Sequence, residues 1–350
     1  MNLIALRKLQ YVETEFVRPE YIRWQLNENP AGRAISWIAI DQNDKVLGEY
    51  WMIPINFKIN KDLHRGAYGA NALIHSKYRR MGIFTMLGQK CLDNCVEGNI
   101  KFTFYVPNQS SMKGLLHRLN CRDLGEMPVL IHPLNINKLA AFKFKNRITQ
   151  ELASGIMRNI YQVVISFKKH KTYNREIELV KVSKFEKDFD SFWYRVRDKY
   201  RCIAIRDSIF MNWRYNHIPV RKYNILLAKK GNRILGYVVS RSATILGLKS
   251  GFIIDFMFES STLGWIAAYA LVDAAIKRFN AERADLICCL FLSHTEEYCL
   301  LRNRNFFVCP RIFKPHPFHL VTQIHDSNMI EKDLNNARYW FFSLGDYDVL

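Results

Sequence analysis

Acidic residues are scarce in this sequence: 32 Asp and Glu stand against 51 Lys and Arg, and the net charge is +19. Glycine and proline are also few, at 16 and 10 of 350 residues, which excludes a collagen-like chain and long low-complexity tracts. A basic surface favours anionic partners, such as a nucleotide cofactor, a nucleic acid or an acidic membrane. The charge alone does not choose among them.

The chain has eight cysteines but no CxxC pair. Paired spacing of that kind is the usual sign of a structural zinc site or a redox pair, so neither has support here. Cys288 and Cys289 are neighbours inside an apolar run, as buried thiols would be. We therefore predict reduced thiols and no bound metal.

Long apolar runs are absent as well. The longest, from Leu263 to Ile276, has 14 residues and contains Asp273, so it is too short to span a bilayer. The N-terminal segment carries too many charges for a signal peptide. We expect a cytoplasmic protein without a transmembrane segment, and the length of 350 residues predicts two domains.

The first half of the chain predicts strands and helices in mixed order. Segments 34–41 and 46–57 form a predicted β-hairpin around the turn QNDK, and 66–75 is a third predicted strand. A helix is predicted from Ile83 to about Cys95, because apolar residues recur there at every fourth position. A strand at 102–107, a helix at 110–119 and a strand at 129–134 follow.

The second half repeats this order. It contains a predicted hairpin at 224–242, a strand at 251–259, a helix at 263–279, a strand at 286–292 and a helix at 295–304. The recurrence predicts a duplicated domain rather than a short repeat. Mixed order of strands and helices predicts an α/β fold (α+β, with a mixed sheet).

The predicted domains are residues 1–135 and 185–350. Between them lies a connecting segment, 136–184, which is rich in Lys, Arg and Asn and has few turn signals. It is expected to contain a helix around 148–160 and a strand at 161–167.

One segment of the first half carries recognisable chemistry: a predicted strand ends in ANALIH, a short basic turn follows, and a helix begins. A helix N-terminus presents unpaired N–H groups and positive dipole character, so it binds anions. Gly82 allows the backbone to approach a ligand closely, and two arginines add positive charge. We predict a pyrophosphate-binding cradle formed by Arg79, Arg80, Met81, Gly82, Ile83 and Phe84.

This segment resembles motif A of the GNAT superfamily of N-acyltransferases, which reads Arg/Gln-x-x-Gly-x-Gly/Ala after a strand. Arg79 and Gly82 match the pattern, whereas Phe84 stands where the family has Gly or Ala. The hairpin before the motif and the strand and helix after it also follow the family's order, across residues 1–135. The resemblance implies that backbone amides of the turn hold the pyrophosphate of acetyl-CoA or a related acyl-CoA.

The resemblance extends to the strand at 102–107. In the family, this strand diverges from its neighbour so that the pantetheine arm lies in the gap, and Pro107 would end the pairing here. Asn108 matches an Asn that commonly contacts the cofactor. Backbone amides at Leu73 and Ile74 are expected to polarise the thioester carbonyl.

Proton transfer needs residues other than the familiar one, because Leu116 stands where the family has its general-acid Tyr. Asn120 stands where the same signature has Gly. Glu49 on the hairpin and His75 at the end of the third strand are candidates for the base, and Tyr105 is a candidate for the acid. Each also has a structural interpretation: a solvent-facing carboxylate, a turn histidine and a core aromatic residue.

The second half lacks the anion cradle. Its counterpart of the motif begins at Glu259 and contains no basic residue, so we infer a degenerate GNAT-like copy that binds no CoA and helps to form the acceptor cleft. In the basic, aromatic segment 210–223, Trp213 and Arg214 are candidates for stacking on an acceptor sugar and for holding a phosphate. A helix packed on the core is the alternative interpretation.

The resemblance favours an acetyl-CoA-dependent N-acyltransferase acting on a small amine, with an amino sugar of surface-polysaccharide synthesis as the leading acceptor. Two alternatives stay open. A Fem-type aminoacyl transferase also has tandem GNAT-like domains and uses charged tRNA, which a net charge of +19 would suit. A non-catalytic CoA-binding protein would account for the absent Tyr. The sequence does not decide the oligomeric state.

Overall fold

A computed structural model describes residues 2–11, 14–143, 146, 151, 154–155, 176–314, 316–326 and 331–347. The helix expected around 148–160 and the strand expected at 161–167 fall largely outside these residues. The described helices are α1 Leu3–Tyr11, α2 Pro19–Asn27, α3 Ile83–Glu97, α4 Gln109–Arg118, α5 Ile136–Lys143, α6 Asp188–Val196, α7 Ser208–Tyr215, α8 Thr262–Ala281, α9 Glu296–Asn303 and α10 Glu331–Leu334.

The strands alternate with these helices in both halves of the chain. They are β1 Ile35–Ile40, β2 Val46–Ile59, β3 Asp62–Ile74, β4 Phe102–Tyr105, β5 Arg122–Glu126, β6 Val129–Pro133, β7 Glu178–Val182, β8 Cys202–Ala204, β9 Asn224–Lys230, β10 Arg233–Ile245, β11 Leu248–Phe258, β12 Leu286–Leu290, β13 Phe307–Val308 and β14 His319–Ile324.

Contacts group the chain into two compact units, each assembled from separate segments. Unit 1 consists of Met1–Glu126, Arg197–Lys222 and His316–Phe341, and unit 2 consists of Met127–Val196, Tyr223–Pro315 and Phe342–Leu350. Each unit therefore contains chain from both halves of the sequence. The domain boundaries at 135 and 184 stay a prediction.

Unit 1 contains a seven-stranded mixed sheet in the order β1-β2-β3-β4-β14-β5, with β8 also paired to β2. Strands β1, β2 and β3 are antiparallel, and β3 and β4 are parallel. Strand β14, from near the end of the sequence, lies antiparallel to both β4 and β5 and separates them. The mixed sheet is the α+β arrangement that the sequence predicts.

Helix α3 covers one face of this sheet through the apolar row that its periodicity predicts. Leu87, Cys91 and Cys95 are buried in one cluster with Tyr50 of β2 and Tyr105 of β4. Burial of such a row is the main stabilising contribution of an amphipathic helix. Helix α3 therefore holds the turn before it in a fixed place at the edge of the sheet.

Unit 2 contains a second seven-stranded sheet, in the order β13-β6-β12-β11-β10-β9-β7. Strands β9, β10 and β11 are antiparallel, β11 and β12 are parallel, and β6 lies antiparallel between β12 and β13. The order β9 to β13 in this sheet thus repeats the order β1 to β5 of unit 1. None of the described helices combines the length and the apolar character needed to cross a bilayer.

Candidate functional site

Strands β3 and β4 of unit 1 separate soon after they meet. They pair in parallel only from Gly66 with Phe102 to Tyr68 with Phe104. Beyond this point β3 continues to Ile74, whereas β4 ends at the next residue. Residues 69–74 of β3 therefore have no partner on the β4 side, and we call this opening the gap. It lies at the carboxyl ends of two parallel strands, where open sheets of this kind bind ligands.

The chain leaves β3 through a turn with an unusual backbone. His75 caps a 3-10 turn, Ser76–Tyr78, by accepting a hydrogen bond from the Lys77 backbone N–H on Nδ1 at 3.2 Å. Arg80 and Gly82 then adopt left-handed conformations, with φ of 67° and 79°. A Cβ at Gly82 would meet no atom within 4 Å, so the backbone there faces open space.

The turn presents unpaired donors. Within the described part of the chain, the backbone N–H groups of residues 80–85 have no acceptor, because helix α3 begins at Ile83 and its first amides have no preceding turn. These amides and the positive end of the helix dipole favour an anion with several oxygens. The predicted cradle residues therefore lie together at one exposed site.

Positive side chains surround these amides. Lys77, Arg79 and Arg80 are exposed or partly exposed, and none of them has a carboxylate partner among the described residues. Arg79 Nε donates to the Ile74 carbonyl at 3.4 Å, which holds its guanidinium beside the end of β3. Cations without a carboxylate partner beside free amides are an arrangement that favours phosphate groups in proteins, and the cradle at residues 79–84 stays a prediction.

Asn108 lies where β4 leads into α4, on the other side of the gap. Its Oδ1 accepts from the backbone N–H groups of Ser110 and Ser111, at 3.0 Å each, and so caps α4. The side chain is exposed, and its Nδ2 donates to no group in the described residues. Asn108 thus has a structural role already and keeps one donor for a ligand.

Phe84 departs from the family pattern because its ring has a place in the core. The ring contacts Tyr50 edge-on, with centroids 5.4 Å apart, and lies over Gly114 of α4. A Cβ at Gly114 would be 2.5 Å from Cε1 of Phe84. The missing side chain at Gly114 of α4 therefore makes room for the large ring of Phe84 on α3.

The chain leaves α4 through a residue with a left-handed backbone. Asn120, where the family has Gly, adopts a left-handed conformation with φ of 54°. After Gly, Asn is the residue that tolerates this conformation best. Leu116, in the place of the family's Tyr, is partly buried against the apolar cluster beneath α3 and carries no proton to donate.

Two of the three candidates for proton transfer are enclosed. Glu49 is fully buried and ion-paired to Arg7, with Nε to Oε1 at 2.9 Å, and not solvent-facing as one interpretation expected. Tyr105 is 3% exposed, and its ring lies directly against Gly69 of β3. Burial raises the pKa of Tyr105 well above its usual value, which makes it a weak acid.

The third candidate, His75, is partly exposed at the mouth of the turn. Its Nδ1 is engaged as a cap, which leaves the proton on Nε2. Among the described residues, no carboxylate is bonded to this ring. His75 therefore shapes the turn through its cap.

Trp213 and Arg214, predicted to contact an acceptor sugar, are 6% and 4% exposed. The Trp213 ring is stacked on Trp24 of α2, with centroids 4.7 Å apart and 17° between planes. The Trp24 indole N–H also donates to the Trp213 carbonyl at 3.1 Å. Stacking covers one face of the Trp213 ring, and burial of the whole side chain leaves little of the other face accessible to a sugar, which favours the interpretation of α7 as a helix packed on the core.

Unit 2 has a comparable pair of parallel strands, but its described residues form no turn like that at residues 75–82. Helix α8 begins at Thr262, directly after residues 259–261, whereas residues 75–82 separate β3 from α3. The Glu259 carboxylate is held by Arg195 and Arg233 at 2.7 and 2.8 Å. Gly264 lies so close to the Glu259 carbonyl that a Cβ would not fit there.

The gap beside β11 is also occupied by the chain itself. Ser343 forms a bridge with Phe291, just after β12, and donates through Oγ to Asp255 of β11 at 3.1 Å. The neighbouring side chains Phe342 and Leu344 are buried. A ligand arm of pantetheine type would have to displace this segment, which is the physical reason to expect no cofactor in unit 2.

Comparison with known proteins rests on structure, since no protein-family model and no curated protein sequence matches this chain. Yeast (Saccharomyces cerevisiae) N-myristoyltransferase with bound myristoyl-CoA superposes with a TM-score of 0.60, at 13% identity, over 93% of this chain and 75% of its own. A GCN5-related N-acetyltransferase from Anabaena variabilis gives 0.61, at 13% identity, over 92% and 69%. The chain has the GNAT fold.

A third GNAT-fold neighbour is the GCN5-related glucosamine N-acetyltransferase region of a fungal multi-domain GH3 β-N-acetylglucosaminidase. Its TM-score is 0.56, at 10% identity, over 91% of this chain and 36% of that one. Together the neighbours confirm the α/β GNAT fold expected from the turn at 79–84. In the described part of this chain, no group of three His, Cys, Asp or Glu residues is arranged to hold a metal ion.

The sequence did not predict a role for three residues of unit 1: Arg7, Gln25 and Asn71. Arg7 forms an ion pair with Glu49, and Gln25 of α2 accepts a hydrogen bond from Asn71 of β3 at 3.1 Å. The only available signal was an Asn inside the otherwise apolar strand 66–75, which is the kind of residue that marks a break in a strand. Arg7 and Gln25 lie on N-terminal helices that the sequence pattern did not reveal.

Proposed function

We propose that this protein transfers an acyl group, with acetyl preferred, from acyl-CoA to the amine of a small acceptor. The observation that carries the proposal is that two features occur together at the end of β3 in unit 1. They are the gap beyond Tyr68 and Phe104, and the unpaired amides of residues 80–85. The first fits an extended pantetheine arm, and the second fits its pyrophosphate.

In this proposal, the amides of residues 80–85 and the side chains of Arg79 and Arg80 bind the pyrophosphate. The arm lies along β3, and backbone amides near Leu73 and Ile74 polarise the thioester carbonyl. The acceptor ammonium first loses a proton to water, because Glu49 and Tyr105 are buried. The neutral amine then attacks the thioester carbon and the C–S bond breaks. The attacking nitrogen gives up a second proton, which reaches the CoA thiolate through water, so that CoA leaves as its thiol.

For the acceptor we propose an amino sugar of surface-polysaccharide assembly, nucleotide-linked, in the cytoplasm. The fungal neighbour of the same fold is a glucosamine N-acetyltransferase region, which supports an amino sugar. The net charge of +19 favours an acceptor that carries phosphate. Donor length is a separate question, since the yeast neighbour holds myristoyl-CoA.

The test is calorimetric titration of acetyl-CoA, CoA, myristoyl-CoA and tRNA into the purified protein, followed by thiol-release assays with glucosamine and nucleotide-linked amino sugars. We expect one acetyl-CoA site per chain and thiol release with an amino sugar. Binding without thiol release from any amine would support the non-catalytic alternative. Salt-sensitive tRNA binding without CoA binding would overturn the proposal in favour of a Fem-type transferase.

A further inference from the structure

Strand β3 contains a bulge inside the stretch that borders the gap. Its register with β2 shifts between the pairs Glu49–Leu73 and Trp51–Ala70, so that Asn71 and the residue after it together oppose one residue of β2. Asn71 adopts a left-handed conformation, with φ of 50°. A bulge leaves the extra residue without a partner in the strand ladder and changes the direction of the neighbouring backbone and side-chain groups.

The side chain of Asn71 is tied to a neighbouring helix. Its Nδ2 donates to Oε1 of Gln25 on α2 at 3.1 Å, and Gln25 is 1% exposed. The bond is part-buried, with Gln25 enclosed and Asn71 half-buried, so it is partly shielded from water and restrains both side chains. The conformation of the bulge is thus coupled to the position of α2.

Helix α2 itself has little freedom to move. The residue before Gln25 is Trp24, which is buried, stacked on Trp213 and hydrogen-bonded to the Trp213 carbonyl. Helix α7 therefore holds α2, and α2 holds the bulge. Trp213 lies within this support and not on an acceptor-binding surface.

The bulge lies past the last pair between β3 and β4. The final pair is Tyr68 with Phe104, so residues 69–74 have no strand partner on the β4 side. On the β2 side the ladder is interrupted at Asn71. The peptide groups around Asn71 therefore lack regular ladder pairing with either neighbouring strand, and they border the gap.

We propose that Asn71 is a positioning residue: held by Gln25, it sets the bulge so that a backbone N–H of β3 donates to the carbonyl oxygen of the bound thioester. The inference rests on the proposed function, because it assumes that acyl-CoA occupies the gap. Its effect is on the polarisation of the carbonyl and not on the pyrophosphate cradle. Affinity for CoA without an acyl group should therefore be independent of Asn71.

The test uses infrared difference spectroscopy of acetyl-CoA labelled with ¹³C at the carbonyl, which needs no acceptor. In the wild-type protein, we expect the bound carbonyl band at lower frequency than in free acetyl-CoA, because a hydrogen bond weakens the C=O bond. In Asn71→Gly and in Gln25→Leu, the band should move back toward the free frequency. Glycine accepts φ above zero, so Asn71→Gly keeps the fold accessible.

The matched control is Asn99→Gly. Asn99 is also left-handed, with φ of 57°, but it is exposed in the turn after α3, and its side chain forms no hydrogen bond with the described residues. This variant should keep the wild-type band. Titration with CoA should give the same affinity, within about twofold, for all four proteins.

The outcomes separate the two proposals. An unchanged band in Asn71→Gly and Gln25→Leu, with acetyl-CoA still bound, would overturn the positioning role and leave the proposed function standing. Loss of CoA affinity in these variants but not in Asn99→Gly would also overturn it, because the pair would then maintain the gap itself. Absence of acetyl-CoA binding by the wild-type protein would overturn both.

Discussion

Arg7 and Glu49 form an ion pair in which neither side chain is exposed. Nε of Arg7 lies 2.9 Å from Oε1 of Glu49, and Nη2 donates to Oε2 at 3.0 Å. The guanidinium also lies 4.1 Å from the centre of the Trp51 ring and donates to the Phe16 carbonyl. Burial raises the pKa of Glu49 to about 7, and Arg7 acts against that rise. The pair fastens helix α1 to strand β2.

Breaking this pair should destabilise the protein. Glu49→Gln leaves the Arg7 charge buried without a partner, and we expect a loss of about 3–5 kcal/mol in the free energy of unfolding, measured in urea. The double variant Arg7→Met/Glu49→Leu should recover most of it. If Glu49 were instead the general base, Glu49→Gln would lose acyl transfer while keeping normal stability.

Gly82 should be essential for binding and dispensable for folding. Gly82→Asp places a carboxylate among the free amides at a residue with φ of 79°, and acetyl-CoA affinity should fall by roughly 100-fold or more. Gly247→Asp is the control, since Gly247 has the same φ and is also open to solvent, in the β10–β11 turn. Equal affinity in the two variants, measured by calorimetry, would show that the cradle is elsewhere.

Gly114 should tolerate no side chain while Phe84 is present. Gly114→Ala places a methyl group 2.5 Å from the Phe84 ring, and we expect a loss of about 1–3 kcal/mol in urea unfolding, despite the better helix propensity of Ala. Combining it with Phe84→Leu should cost less than the two single changes added together. Lys113→Ala, on the exposed face of α4, serves as the control and should change stability little.

His325 should make stability depend on pH. Burial lowers its pKa from 6.5 to about 4, and its Nε2 has no partner among the described residues. Between these values the unfolded chain binds a proton and the folded chain does not, so stability falls as pH decreases from about 6.5 to about 4, by up to ~3 kcal/mol. His325→Leu should flatten this part of a stability–pH profile, whereas an unchanged slope would assign it to other groups.

The sequence predicts the elements around the cradle well, because their signals are local. The predicted bounds of the hairpin β1–β2, of strand β3 and of helix α3 lie within a few residues of the observed ones. The strands are predicted from their β-branched and aromatic residues, and the helix from apolar residues at every fourth position after Gly82. The left-handed conformation of Gly82 follows from its residue type. The anion-binding turn is thus encoded in a few consecutive residues.

The surroundings of the gap depend on partners that are distant in sequence. The sequence around Glu49 is compatible with a solvent-facing carboxylate, whereas the structure pairs it with Arg7, on a helix that has no clear sequence signal. The sequence around Trp213 is compatible with an exposed aromatic residue, whereas the structure stacks it on Trp24. Neither pairing has a local pattern, so composition and periodicity could not reveal it.

The exchange of strands between the two halves of the sequence has a consequence for synthesis of the chain. Strand β14, which separates β4 from β5 in unit 1, is translated about 200 residues after them. Until then, β4 and β5 have unpaired edges toward each other, and such edges invite pairing with other chains. The ribosome therefore releases strand β3 long before the sheet that contains it is complete. The nascent chain exposes the edges of β4 and β5 until β14 has been made, so these edges need shielding from other chains during most of synthesis.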